Sequence, residues 1–227
     1  LDADPRRAGL AERVAQGLAL FIVGMATKVF LADKLAPRKA CVTACFLGEG
    51  AVAEGAFHES LNLAALWRVP VLFICENNLY AMGTALSRSE AQIDLTKKAA
   101  SYGVPTGHIN GMNVLAVHDA ARQAVAYVRE QQAPFFLELH TYRFRAHSMF
   151  DAELYRDKKE VERWKEHGPI HTFTAKLKAA QMMTEADFER LDREAMEEVD
   201  AAVAFAEAGN WEPVEKLGDD VLTPMPH

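Results

Sequence analysis

The 227-residue chain contains three cysteines, Cys41, Cys45 and Cys75, an odd number set in apolar runs. A disulfide scaffold is therefore excluded, and reduced, buried thiols in a reducing compartment are expected. No neighbouring Cys or His pair completes a zinc set around Cys41 and Cys45. Runs of Lys and Arg are absent, and 25 basic residues against 32 acidic ones leave a net charge of −7. A nucleic-acid partner, which needs a concentrated basic surface, is excluded on that ground. The longest early apolar stretch, residues 17–32, is broken by Lys28. It falls short of the ~20 residues of a membrane span and reads as a buried helix, so no membrane partner is expected. Asp2, Asp4 and Glu12 ahead of it argue against a secretory signal. The first residue is Leu rather than Met, so further sequence is expected upstream. Repeats and low-complexity tracts are also missing.

What is present alternates. Residues 41–47 and 69–77 read as buried apolar strands, with a helix over 54–68 between them. An amphipathic patch, LTKKAASYG, precedes a short strand and turn at PTGHING. Residues 113–130 fit a helix capped by Asn113, and 134–142 fit another strand. Strand–helix alternation with doubly buried strands predicts an α/β fold, a parallel sheet with helices on both faces. From 143 to 157 the periodicity stops, which predicts a loop. Beyond it the chain is charged and helical, with a long helix from Thr184 opened by a Thr184–Asp187 capping box and lined by Phe188, Leu191, Ala195, Val199 and Val203. The expected division is an α/β domain over 1–157 and a helical C-terminal extension over 158–227 packed on it.

The segment LGEGAVAEG, residues 47–55, raises a chemical question. Glycines let a backbone approach a phosphate closely, and the following helix adds its positive end. Glu49 between Gly48 and Gly50 opposes both: a carboxylate ~4 Å from a phosphate oxygen is repulsive by about 1–4 kcal/mol at effective dielectrics between 80 and 20. A divalent cation bridging carboxylate and phosphate removes the conflict, and Mg²⁺ is held in this manner. More oxygen ligands must then lie nearby. Twenty-six residues separate Gly50 from the pair Asn77-Asn78, one helix and one strand. In a parallel sheet that places the pair at the edge where Glu49 sits. An Asn oxygen suits Mg²⁺, and the turn after it can bring in the Tyr80 carbonyl.

At this combination the chain resembles the thiamine-diphosphate enzymes, whose signature is Gly-Asp-Gly followed by Asn-Asn. FLGEGAVAEGAFHESLNLAALWRVPVLFICENNLYAMGTALSR and TYRFRAHSMFDAELYRDKKEVERW are similar to the alpha subunit of the decarboxylating component of 2-oxo acid dehydrogenase complexes. The resemblance implies a thiamine-diphosphate-binding fold. It also implies that Glu49, Asn78 and the Tyr80 carbonyl hold Mg²⁺, and that Gly48, Gly50 and Ala51 contact the diphosphate. His147 would reach the cofactor or the incoming acyl acceptor as a catalytic residue. The implied reaction, in central carbon metabolism, is oxidative decarboxylation of a small 2-oxo acid with acyl transfer to a lipoyl domain. The implied assembly is an α2β2 heterotetramer with a beta subunit, in the cytoplasm of a bacterium or the mitochondrial matrix of a eukaryote. Pyruvate is the expected substrate, with acetoin and branched-chain 2-oxo acids as alternatives. Glu49 in place of Asp is similar to the branched-chain type, and CENNLYAMGT to the pyruvate or acetoin type. The Tyr-Arg pair that grips the diphosphate in relatives has no counterpart here, and Ile22-Val23-Gly24 leads into a bulkier segment than theirs.

Two other readings of the same residues fail on particulars. Gly48-Glu49-Gly50-Ala51-Val52-Ala53 satisfies a dinucleotide pattern with Glu76 as a ribose-binding acid, but leaves Glu49 unshielded and Asn77-Asn78 unexplained. His58-Glu59 begins a zinc-protease motif whose second histidine position holds Asn62. A third reading is a degenerate, non-catalytic subunit, suggested by the altered N-terminal segment.

Overall fold

The computed structural model describes residues 41–216 and 218. The apolar run at 17–32 and the segment around Ile22-Val23-Gly24 lie outside the described residues. The described chain forms two compact units, one running through Phe173 and the other starting at Thr174.

Four strands build the main sheet of the first unit: β1 (Thr43–Gly48), β2 (Val71–Asn77), β5 (Thr106–Asn110) and β6 (Phe135–His140). Their order is β1-β2-β6-β5 and every pairing is parallel. Parallel neighbours need crossovers, and the helices supply them: α1 (Gly55–Trp67) between β1 and β2, and α4 (Val114–Gln131) between β5 and β6. A two-stranded hairpin, β3 (Tyr80–Ala81) with β4 (Thr84–Ala85), and two short helices, α2 (Leu86–Ser89) and α3 (Leu95–Ala100), fill the link from β2 to β5.

Alternation along β2 shows why both faces are covered. Val71, Phe73 and Cys75 point into a core with Phe57, Leu61 and Ala64 of α1 and Leu95 and Ala99 of α3. Leu72 and Ile74 point to the opposite face and meet Ala124 and Val128 of α4 with Leu137 and Leu139 of β6. The fold is thus the expected α/β arrangement, a parallel sheet with helices on both faces. Asn113 caps α4 by accepting from the Ala116 N–H at 3.3 Å. Burial pushes the Cys45 thiol up to about 11 and keeps Cys75 neutral, with Glu138, Glu49 and Glu76 nearby adding to the effect. Cys41 corrects the expectation of three buried thiols: it is exposed, because it precedes the first strand.

After β6 the chain runs without regular structure to α5 (Lys158–Glu166), capped by Asp157, whose side chain accepts from the Lys159 N–H at 2.9 Å. α5 lies in the first unit. Trp164 stacks on Tyr142 with ring centroids 5.0 Å apart and planes at 6°. α6 (Pro169–Ala179) follows, then α7 (Glu185–Glu207), whose Thr184–Asp187 capping box forms as expected.

Tyr142 offers a test of this packing. Burial first, then the hydrogen bond its hydroxyl donates to Glu160 at 3.0 Å, push its phenol up to about 12. An unfolded tyrosine titrates near 10, so the folded state holds the proton more tightly. The resulting stabilisation is complete below about pH 10 and fades as pH rises towards about 12. Tyr142→Phe is expected to flatten the decline of stability across that window, as measured by denaturant unfolding at stepped pH.

Candidate cofactor site

The carboxyl ends of β1 and β2 lie side by side, with Gly48 in register with Glu76. Two turns leave that edge. The first is a short 3-10 turn, Glu49–Ala53, carrying Glu49, Gly50 and Ala51. The second is the Asn77–Tyr80 turn. They meet: the Asn78 N–H donates to Glu49 Oε2 at 3.2 Å. Sequence positions 29 apart are thus in direct contact, as the crossover argument requires.

Glu49 is only 2% exposed. Among the described residues, its carboxylate accepts that one hydrogen bond. A buried carboxylate with a single neutral donor is poorly compensated, which is the environment that draws in a cation. Asn78 is half-buried, and its Oδ1 accepts only a long 3.4 Å bond from the Tyr80 N–H. Asn77 differs. It is 1% exposed, its amide donates to Glu138 Oε1 at 2.7 Å, and its Oδ1 accepts from the Leu79 N–H at 3.0 Å. Of the two asparagines, then, Asn78 is the one with an oxygen to spare.

The glycines divide the labour. A Cβ on Gly48 would meet no atom within 4 Å, so the backbone there borders open space. A Cβ on Gly50 would lie 2.6 Å from the Ala81 Cβ, so the acidic turn fits against the hairpin only without a side chain at that position. Gly50→Ala is expected to cost about 1–3 kcal/mol, as overpacking does. Ala81→Gly in the same chain should recover most of it, a pair that calorimetric unfolding would resolve.

The turn is tied down from its other end as well. The Tyr80 hydroxyl donates to both oxygens of Glu160 at 3.1 Å, where it joins the Tyr142 hydroxyl. Glu160 on α5 therefore anchors the residue whose carbonyl follows Asn78.

His147 lies in the loop after β6. Arg143 organises that loop: its guanidinium donates to the Met82 carbonyl in the β3–β4 hairpin at 3.0 Å, to the Tyr155 hydroxyl at 3.2 Å, and to His147 Nδ1 at 3.1 Å. Asp151 accepts from the His147 N–H at 3.0 Å and from the Tyr155 hydroxyl at 2.8 Å. Backbone N–H bonds from Glu153 and His147, then the Tyr155 hydroxyl, hold the Asp151 carboxyl below its ordinary range. Through Arg143 and Met82 the His147 loop is fastened to the hairpin that follows the Asn77–Tyr80 turn. Asn78 contacts both Glu49 and Tyr80; His147 is linked to them through Arg143 and the hairpin and touches none of the three in any hydrogen bond among the described residues.

Sequence reasoning missed Glu138 and Glu160. Glu138 had a signal: an acid inside the apolar strand FFLELH must find partners. Glu160 had none, because nothing in EVERW marks it against its neighbours. His58, considered for a zinc motif, has its Nδ1 3.0 Å from the Tyr102 hydroxyl.

An acidic glycine turn touching an Asn-Asn turn at the carboxyl edge of a parallel sheet marks this α/β protein. Its family is specific: residues 13–215 match the family described as Dehydrogenase E1 component, and the chain belongs to it. Among similar proteins are those named pyruvate dehydrogenase E1 component subunit alpha. That of Rhizobium meliloti is 41% identical over 182 residues, 80% of this chain and 52% of the relative. That of Rickettsia conorii is 44% identical over 162 residues, 71% of this chain and 50% of the relative. That of Porphyra purpurea is 36% identical over 170 residues, 75% and 49%. The chain spans about half the length of the curated relatives it matches. No helix among the described residues is long and apolar enough to cross a membrane.

Proposed function

We propose that the chain is the diphosphate-gripping part of the alpha subunit of a thiamine-diphosphate-dependent 2-oxo acid dehydrogenase, acting on pyruvate. The observation that carries the reading is the buried Glu49 carboxylate in contact with the Asn78 turn. Glu49, the Asn78 Oδ1 and the Tyr80 carbonyl form an all-oxygen donor set, which suits Mg²⁺. Gly48, Gly50 and Ala51 bring backbone to the diphosphate, and the open space at Gly48 leaves room for it. When bound, thiamine diphosphate would supply an electron sink for decarboxylation, and Glu49, Asn78 and the Tyr80 carbonyl would hold its diphosphate through the metal. His147 is the residue proposed to act on the acyl acceptor. Arg143 donates to its Nδ1, which puts the ring proton on Nε2, where it can be donated to an oxygen. The expected partners are a beta subunit, in an α2β2 enzyme, and the lipoyl domain of an acyltransferase. The expected location is the bacterial cytoplasm, or the mitochondrial matrix in a eukaryote.

The test is a calorimetric titration of the full-length subunit, assembled with its beta partner, by thiamine diphosphate with and without Mg²⁺. Binding should require the metal. Decarboxylation of pyruvate, acetoin and branched-chain 2-oxo acids should then favour pyruvate. Metal-independent binding of NAD, with none of thiamine diphosphate, would overturn the reading.

A further inference from the structure

We infer that Glu138 and Asn77 are positioning residues for the cation site: their buried pairing sets the turn that presents Asn78 and the Tyr80 carbonyl. The inference rests on the functional reading above.

Neither residue is offered as a ligand, yet both are 1% exposed. Glu138 lies on β6 beside Cys75 of β2, and Asn77 is in register with His140. The Glu138 Oε1 accepts from the Asn77 amide at 2.7 Å and lies 3.1 Å from His140 Nε2. That fixes the rotation of the Asn77 side chain and leaves its Oδ1 facing forward along the chain, where it accepts the Leu79 N–H at 3.0 Å. The Asn77 carbonyl meanwhile accepts the Thr141 N–H at 2.9 Å. All of its polar groups on the side of β6 are engaged, so Asn77 is locked to that strand.

The lock has a local purpose. Leu79 has φ of 74°, a left-handed conformation that a leucine seldom adopts. A turn of this shape must be held from outside, and the Asn77 Oδ1 is the group that holds the Leu79 N–H. The reversal at Leu79 in turn directs the Asn78 N–H at Glu49 and brings the Tyr80 N–H to Asn78 Oδ1. A carboxylate on β6 therefore governs, through one amide, where two oxygens of the cation site point. An apolar residue at position 138 would pack in the sheet but leave the Asn77 amide free to rotate and the turn free to relax.

The test reverses the pair. Asn77→Asp sets two carboxylates against each other. Adding Glu138→Gln restores an amide–carboxylate hydrogen bond in the opposite sense, and the carboxylate introduced at position 77 can still accept the Leu79 N–H. In the assembled enzyme at saturating thiamine diphosphate, N77D should raise the Mg²⁺ concentration for half-saturation by ~10-fold or more, in the range seen when groups that orient metal ligands are lost. The N77D/E138Q enzyme should return most of the way to wild type, a coupling that a double-mutant cycle isolates. A residue of merely structural value would lower the unfolding midpoint of the metal-free enzyme without this reciprocal effect on Mg²⁺. If N77D does not assemble, Asn77→Ala carries the test with the same expected loss. Wild-type Mg²⁺ dependence in N77D or N77A, or a double variant no better than folded N77D, overturns the inference alone. Absence of Mg²⁺-dependent cofactor binding in the wild-type enzyme overturns the functional reading first and takes the inference with it.

Discussion

Glu49→Ala is expected to weaken Mg²⁺-dependent thiamine diphosphate binding by at least ~100-fold, about 2.8 kcal/mol, in the assembled enzyme. The carboxylate is the one anionic group in the proposed ligand set, and the Asn78 amide and Tyr80 carbonyl cannot replace its charge. Glu49→Gln keeps an oxygen and loses the charge, so it separates two effects. With Mg²⁺ present, the affinity should fall below wild type. Without Mg²⁺, the affinity should rise above wild type, because the repulsion between carboxylate and diphosphate, about 1–4 kcal/mol at ~4 Å, is gone. The metal dependence should therefore flatten from both sides. Folding should move in the other direction: a buried carboxylate with one hydrogen bond costs desolvation, so the metal-free Gln variant should unfold at the wild-type temperature or above it. Thermal unfolding with and without ligand reads all of this, since only a competent site gives a ligand-induced rise in midpoint. A normal rise in the Ala variant would remove the proposed site.

How much of this was open to reading in the chain follows from the range of the forces involved. The strands and helices were legible because burial writes a period into the sequence. Residues 113–130 were expected as a helix and Val114–Gln131 is one; 134–142 was expected as a strand and Phe135–His140 is one. The meeting of Glu49 with Asn78 was legible for a different reason: parallel strands joined by a helix of that length must bring their carboxyl ends together. The β3–β4 hairpin was not legible. Its strands are two residues each, too short to show alternation, and its position depends on Gly50 giving way to Ala81. The residues alone did not tell Asn77 from Asn78 either; only the resemblance singled out Asn78. What separates them is Glu138, 61 residues on, and the pairing of β2 with β6 that puts it there. Arg143 reaching Met82 is equally a product of tertiary folding, with no local trace.

His147→Ala is expected to slow acyl transfer to the lipoyl acceptor by ~10²–10⁴, the usual contribution of a positioned proton donor or acceptor. Arg143 fills the Nδ1 side of the ring and Asp151 holds the backbone N–H, so Nε2 is the edge left for chemistry. Arg143 also joins the loop to the hairpin after the Asn77–Tyr80 turn, which ties the position of that edge to the proposed site. None of these contacts passes through Glu49 or Asn78, so removing the imidazole should leave Mg²⁺-dependent cofactor binding close to wild type. The two functions therefore come apart in a single variant: titration with thiamine diphosphate reports the first, and single-turnover acylation of a lipoyl domain reports the second. His147→Gln restores a donor without an imidazole's capacity to exchange protons near neutral pH. Should Gln recover most of the rate, hydrogen bonding to the acyl oxygen is what His147 contributes; should it match Ala, proton transfer is. An acylation rate unchanged in both variants would take His147 out of the reaction and leave its loop a purely structural brace on the hairpin.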